Sequence, residues 1–327
     1  LFSFHLANAQ AITPTCFGRP ATIVGTTGDD TITGTSGVDV IASLAGSDVV
    51  YGAAGNDLIC GYEGSDQLYG QGGHDKVKGG RDGDVVSGGA GYDILFGNVG
   101  DDHLIGGPGN DRLYGGLHSD NLGGGQGNDA IDGGTSPLYV NCCSDIATFV
   151  HSSGPVTANL STGTATGMGS DTLVNVEGLR GSRFNDTLTG DSNPLNFIWG
   201  GAGDDAISSE AISSEMYGNG GNDTLTGSGS DLLRGGPGDD YLEGGDLNNN
   251  DLYGDAGNDT LVGGSADDYI YGATYYPTVN PGSDTVYAKG GADHIEVYDG
   301  VGDDYVDAGA GVDFCGSDVG DVILNCP

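Results

Sequence analysis

The sequence predicts an all-β fold: a parallel β-roll (β-solenoid) of glycine-rich nonapeptide repeats, in two arrays joined by a strand-rich spacer. Three observations predict it. Residues 25 to 132 read as twelve consecutive nine-residue units without a gap. The chain holds 66 Gly among 327 residues, against a usual share of roughly 7%. It carries 47 acidic and 9 basic residues, for a formal net charge of −38. Collagen is excluded, because only 10 prolines occur and Gly does not recur every third residue. An ordinary helical enzyme is disfavoured, because Gly is scattered through every segment and resists helix. So negative a chain repels nucleic acid and anionic membrane surfaces and attracts cations. Composition alone is also that of a disordered chain; the periodicity argues for order.

Residues 1–11 read as the remnant of an export signal, an apolar run ending in Ala9-Gln10-Ala11. No later stretch approaches the ~18 apolar residues of a membrane span. The six cysteines, Cys16, Cys60, Cys142, Cys143, Cys315 and Cys326, match no zinc spacing. Their even count beside an export signal points to disulfides and an oxidising compartment; spacing alone leaves every pairing open. Residues 12–24 form an N-terminal cap.

The first array occupies 25–134. Numbering each unit 1 to 9, slot 6 is Asp in all twelve: Asp30, Asp39, Asp48, Asp57, Asp66, Asp75, Asp84, Asp93, Asp102, Asp111, Asp120 and Asp129. Slot 8 is aliphatic in all twelve, from Ile32 to Ile131. Slots 1 to 6 have turn chemistry, since Gly permits positive φ and close backbone approach. Slots 7 to 9 form a short strand whose middle side chain faces inward. Two units make one coil, and stacked coils give two parallel sheets with strands about 4.8 Å apart. One aliphatic side chain per nine residues is a thin core. The aspartates fall in two stacked rows that repel one another, so a cation must join them. Carboxylates and turn carbonyls make an all-oxygen donor set, which suits Ca²⁺ better than the strictly octahedral, reluctantly dehydrated Mg²⁺. Within the array, five gaps per edge give a maximum of ten sites.

These nonapeptides, of which Gly106-Gly107-Pro108-Gly109-Asn110-Asp111-Arg112-Leu113-Tyr114 is a complete example, resemble the haemolysin-type, or repeats-in-toxin (RTX), calcium-binding family. The resemblance implies a parallel β-roll with Ca²⁺ held between turns, and a chain largely unfolded without calcium. Each slot-6 Asp matches the family's ligand position. Asp82 and His118 stand at slot 4, where the family has Gly; this puts the local turn and one site each in question. Residues Ile12 to Gly25 resemble the leader of secreted actinobacterial-type members. That likeness implies a Cys16–Cys60 pair, and register supports it, since Cys60 is an outward slot-9 residue in column with Val24 and Ala42. The closing stretch is likewise similar to that group's and implies Cys315–Cys326. Cys142 and Cys143 are left without assigned partners.

The register fails after Gly134. The spacer, 135–180, reads as short strands that extend the roll without calcium turns, and no site is expected in it. The second array, 181–307, is irregular, with metal-ligating positions at Asp186, Asp205, Asp223, Asp240, Asp259, Asp268, Asp293 and Asp304. Asp231, Asp284 and Asp313 belong to weaker units, and Asn196, Ser214 and Asn250 stand at slot 6 in three others. Residues 273–283 are an insertion, and 308–327 a C-terminal cap.

No G-x-S-x-G, H-E-x-x-H or P-loop occurs, and the six His form no metal or triad spacing. Outward aromatics stack at 18-residue intervals, Tyr51 over Tyr69 and Phe96 over Tyr114, as cross-strand pairs do. The resulting expectation is an extracellular calcium-binding roll, secreted or associated with the cell surface. It has no catalysis of its own, and its folding is coupled to multiple Ca²⁺. Two alternatives stand beside it. One is a calcium-dependent adhesion or matrix protein that meets a cell-surface or matrix glycan or protein. The other is the accessory repeat region of an exported hydrolase.

Overall fold

The computed structural model describes residues 13–135, 144–273, 282–300 and 302–327. The signal remnant, Cys142 and Cys143, and most of the 273–283 insertion lie outside the described residues. Every element among the described residues is a strand. No helix is long and apolar enough to cross a membrane.

Two long sheets face each other across the core. One has fifteen strands, from Thr31–Thr33 to Phe314–Gly316; the other has eighteen, from Ile23–Val24 to Val322–Leu324. Outside the spacer, consecutive strands of the two sheets alternate between them, and neighbours within a sheet are one coil apart. Val50 pairs with Leu68, Leu68 with Val86, Val86 with Leu104, and Leu104 with Leu122, all in parallel. This is the expected parallel β-roll. The alternation of a strand sends slot 8 inward, and Leu68, Leu95, Leu104, Leu113 and Leu122 are completely buried.

Slot 4 is glycine because the coils touch there. Gly73 has φ +135°, and a Cβ on it would lie 1.5 Å from the Gly55 carbonyl oxygen. Asp82 and His118 nevertheless take the same left-handed conformation, φ 69° and 88°. The turns they occupy are therefore preserved, at the backbone cost a side chain incurs there.

The spacer departs from a purely parallel stack. Ala130–Gly134 pairs in parallel with Ser170–Val174, and Thr157–Asn159 pairs in parallel with Thr187–Thr189. Thr164–Thr166 lies between, antiparallel to both neighbours. The chain overshoots one coil, reverses at a turn where the Gly163 N–H donates to the Leu160 carbonyl (3.1 Å), and returns to fill the gap. On the opposite sheet Ile146–Thr148 and Gly178–Arg180 continue the parallel stack.

Both disulfides that the resemblance implied are present, Cys16–Cys60 and Cys315–Cys326. The first fastens a small hairpin, Thr15–Cys16 against Arg19–Pro20, onto the outer face of the eighteen-stranded sheet. Cys16, Val40 and Cys60 form a small buried cluster of their own there.

Candidate metal centre

The slot-6 carboxylates form two hydrogen-bonded ladders along the edges of the roll. Each Asp donates its backbone N–H to Oδ1 of the Asp one coil further on. One ladder runs Asp30, Asp48, Asp66, Asp84, Asp102, Asp120. The other runs Asp39, Asp57, Asp75, Asp93, Asp111, Asp129. In the second array Asp186, Asp205, Asp223, Asp240, Asp259, Asp284 and Asp304 continue one ladder. Asp268, Asp293 and Asp313 continue the other. Every expected metal-ligating residue thus stands in a ladder.

The spacer, read as short strands without calcium turns, also contributes acids to the hydrogen-bond ladders. The Asp120 N–H donates to Asp145 Oδ1, the Asp145 N–H to Glu177 Oε2, and the Asp129 N–H to Asp171 Oδ1, each at 2.9 Å. The signal was present in the sequence. Asp145-Ile146-Ala147, Asp171-Thr172-Leu173 and Glu177-Gly178-Leu179 each keep the acid two residues before an inward side chain; Asp145 and Glu177 lack the preceding glycines, while Asp171 keeps Gly167 and Gly169.

The other carboxylate oxygen decides the chemistry. Oδ2 of Asp48, Asp57, Asp66, Asp75, Asp84, Asp93, Asp102, Asp111, Asp120 and Asp129 is buried with no hydrogen-bond partner. The same holds for Asp205, Asp223, Asp240, Asp259, Asp293, Asp304 and Asp313. Buried polar atoms are ordinarily partnered, so repeated orphans need a ligand to explain them. Many sit beside a carbonyl of the next coil. A Cβ on Gly97 would lie 2.2 Å from Asp102 Oδ2 and 2.7 Å from the Gly115 carbonyl oxygen. Slot 1 is glycine because these oxygens border the same small space.

Four of the expected positions differ. Asp30 Oδ2 accepts the Thr26 N–H (2.6 Å) and hydroxyl (2.9 Å), and Asp39 Oδ2 accepts the same pair from Thr35. Asp186 Oδ2 accepts the Ser182 N–H (2.5 Å), and Asp268 Oδ2 the Gly264 N–H (2.6 Å). These turns are closed on themselves. In open turns the slot-2 residue is left-handed, as at Leu44, Tyr62, Gln71 and Asn98, whereas Thr26 and Thr35 are not. At Thr26 and Thr35 the β-branched side chain resists positive φ, and the N–H turns to the carboxylate of the same turn; Ser182 and Gly264 close their turns without that restriction. Neutral slot-6 residues are likewise satisfied internally. Asn196 Oδ1 accepts the Asp191 N–H (2.9 Å), and the Asn250 amide donates to the Gly245 carbonyl (2.9 Å). Near the C-terminal end, Asp299, Asp303 and Asp304 bring carboxylate oxygens within 4.8 Å of one another.

Burial raises the ladder carboxyls far above the usual range for Asp. Asp84, Asp120 and Asp259 are pushed up to about 8. Asp102, Asp111, Asp240 and Asp304 are pushed to about 7. Desolvation is the main cause; the backbone N–H on Oδ1 opposes it, and neighbouring carboxylates add to it. A divalent cation among these oxygens removes the penalty by supplying the missing partner for Oδ2. The donor set is carboxylate and carbonyl oxygen throughout, which fits Ca²⁺.

Comparison with curated proteins gave no match. The family model for the RTX calcium-binding nonapeptide repeat (4 copies) matches residues 24–59, 60–95, 96–131, 196–211, 217–249, 245–274, 278–315 and 296–322, most of the chain. With its ladders of orphaned oxygens between glycine turns, the chain belongs to the RTX calcium-binding repeat family, whose nonapeptides bind multiple Ca²⁺.

Proposed function

We propose that this calcium-binding β-roll is an extracellular, non-catalytic protein whose folding is coupled to the uptake of Ca²⁺ at the open turns of its ladders. The observation that carries the reading is the row of buried, unpartnered Oδ2 atoms from Asp48 to Asp129. The second oxygen of each of these carboxylates gains a partner when a cation sits between coils. Such a site does not exist in the unfolded chain, so binding energy becomes folding energy. In calcium-poor cytosol a chain of net charge −38 repels itself and stays extended. Outside, near-millimolar calcium saturates sites with dissociation constants of about 10⁻⁴–10⁻³ M. Two disulfides accord with an oxidising, extracellular setting. Most buried acids among the described residues belong to the ladders, which accords with a non-catalytic role.

Circular dichroism and light scattering across a calcium titration, with magnesium as control, test the reading. The expected result is an extended chain in chelator that becomes compact and β-rich with calcium and not with magnesium. A chain already compact and β-rich in chelator at neutral pH overturns it.

A further inference from the structure

The basic residues of this acidic chain are not spread evenly. Of its 9 Lys and Arg, four project from one face of the first array: Lys76, Lys78, Arg81 and Arg112 on the strands Lys76–Arg81 and Arg112–Leu117 of the eighteen-stranded sheet. Ile94–Val99 lies between those strands and brings Phe96 into register with Lys78 on one side and Tyr114 on the other. The ion pairs among the described residues are Arg234–Asp255, Lys289–Glu243 and His294–Glu296, all in the second array. The four cations therefore have no ion-pair partner among the described residues, although Glu63 lies opposite Arg81 on the adjacent strand.

Beside them the N-terminal hairpin makes a wall. Phe17, at its tip, stands 5.9 Å from Phe96 between ring centroids, and Phe96 stacks on Tyr114 at 5.0 Å and 11°. The Cys16–Cys60 disulfide and a hydrogen bond from the Tyr62 hydroxyl to the Thr15 carbonyl (2.5 Å) fasten the hairpin to the sheet. The result is a cleft of about 650 Å³ lined by Phe17, Tyr62, Lys78, Arg81, Phe96 and Val99.

We propose that this cleft binds an acidic glycan, with sugar rings packed against Phe17 and Phe96 and carboxylate or sulfate groups held by Lys78 and Arg81. A planar guanidinium matches a carboxylate or sulfate by paired hydrogen bonds, and an aromatic face accepts the apolar face of a sugar. An acidic peptide offers charge without a flat apolar face. The ladders lie at the turn edges rather than on this sheet face, and salt screens charges beyond about 8 Å. The cleft exists only when the coils are stacked, so its occupancy follows calcium.

Titration of the calcium-loaded full chain with oligogalacturonate and with heparin oligosaccharide tests this, with a neutral cello-oligosaccharide and polyglutamate as controls. The expected result is saturable binding of an acidic oligosaccharide only. Lys78→Glu with Arg81→Glu weakens it by about tenfold or more, and Phe96→Ala by about fivefold, each a loss of roughly one contact's worth of affinity. Tyr253→Ala, which removes one ring of the stacked Tyr253–Tyr271 pair, leaves it unchanged. Absence of binding to both acidic glycans overturns the proposal. So does binding that survives the double charge reversal, which marks calcium bridging to the ladders, and so does equal affinity for polyglutamate. Calcium-driven folding, recorded by circular dichroism on the same samples, separates failure of this site from failure of the folding reading.

Discussion

The backbone N–H of Asp66 donates to Asp84 Oδ1 at 2.9 Å, while Asp84 Oδ2 lies buried without a partner. One carboxylate is thus half engaged by the neighbouring coil and half available. That division recurs at the open turns of both arrays.

Substitution should separate the two halves. Asp84→Asn keeps an acceptor for the Asp66 N–H but loses the charge; Asp84→Ala loses both. Each is expected to remove about one bound calcium. The alanine variant is expected to be less stable than the asparagine variant by about 1–3 kcal/mol, the cost of a buried N–H left unpaired. Calcium counting and thermal unfolding in saturating calcium check both.

The closed turns make an opposite prediction. Thr26→Gly and Thr35→Gly free Asp30 Oδ2 and Asp39 Oδ2 and permit a left-handed slot 2. Each is expected to add a calcium site. Gly89→Thr, at a slot 2 with φ +99°, is expected to close a turn and remove one. Equilibrium dialysis with labelled calcium reads the stoichiometry; unchanged counts would mean that slot 2 does not gate the site.

Protons should partly replace calcium. Carboxyls at about 8, such as Asp84, Asp120 and Asp259, titrate near 4 in the unfolded chain. A folded value above the unfolded one stabilises the fold below the unfolded value, and that gain is lost as pH rises through the folded value. In chelator, the roll is therefore expected to be more structured at about pH 5 than at about pH 8. In calcium the acid side is the weaker one, because protons displace the ion. Far-ultraviolet circular dichroism against pH, with and without chelator, checks the crossing.

His118 occupies slot 4 at φ 88° without a side-chain hydrogen bond among the described residues. His118→Gly is expected to stabilise the calcium-loaded protein by about 1 kcal/mol by removing left-handed strain. Asp82→Gly should gain less, because Asp82 Oδ2 accepts the Gly64 N–H (3.2 Å).

Much of this was legible before the fold was seen. A period of nine with Asp and an aliphatic two residues apart sets strand, turn and inward face together, so the roll and the ladder positions follow from spacing. The reversal at Thr164–Thr166 did not, because a short Thr-rich strand reads the same in either direction. Asp145 and Glu177 were hidden by the loss of the preceding glycines, and Asp171 by the break in register after Gly134. The closed turns were hidden for a different reason: Thr26, Thr35 and Ser182 look like ordinary turn residues, and only the φ at slot 2 shows that they consume the oxygen a metal needs.

Crystals of the calcium-loaded protein, measured at a wavelength where calcium scatters anomalously, give the most direct test. The account predicts a calcium peak between coils beside each orphaned ladder oxygen, as between Asp102 Oδ2 and the Gly115 carbonyl, and none at the turns closed by Thr26 and Thr35. A stacked roll whose open turns hold no calcium at saturating concentration would contradict it.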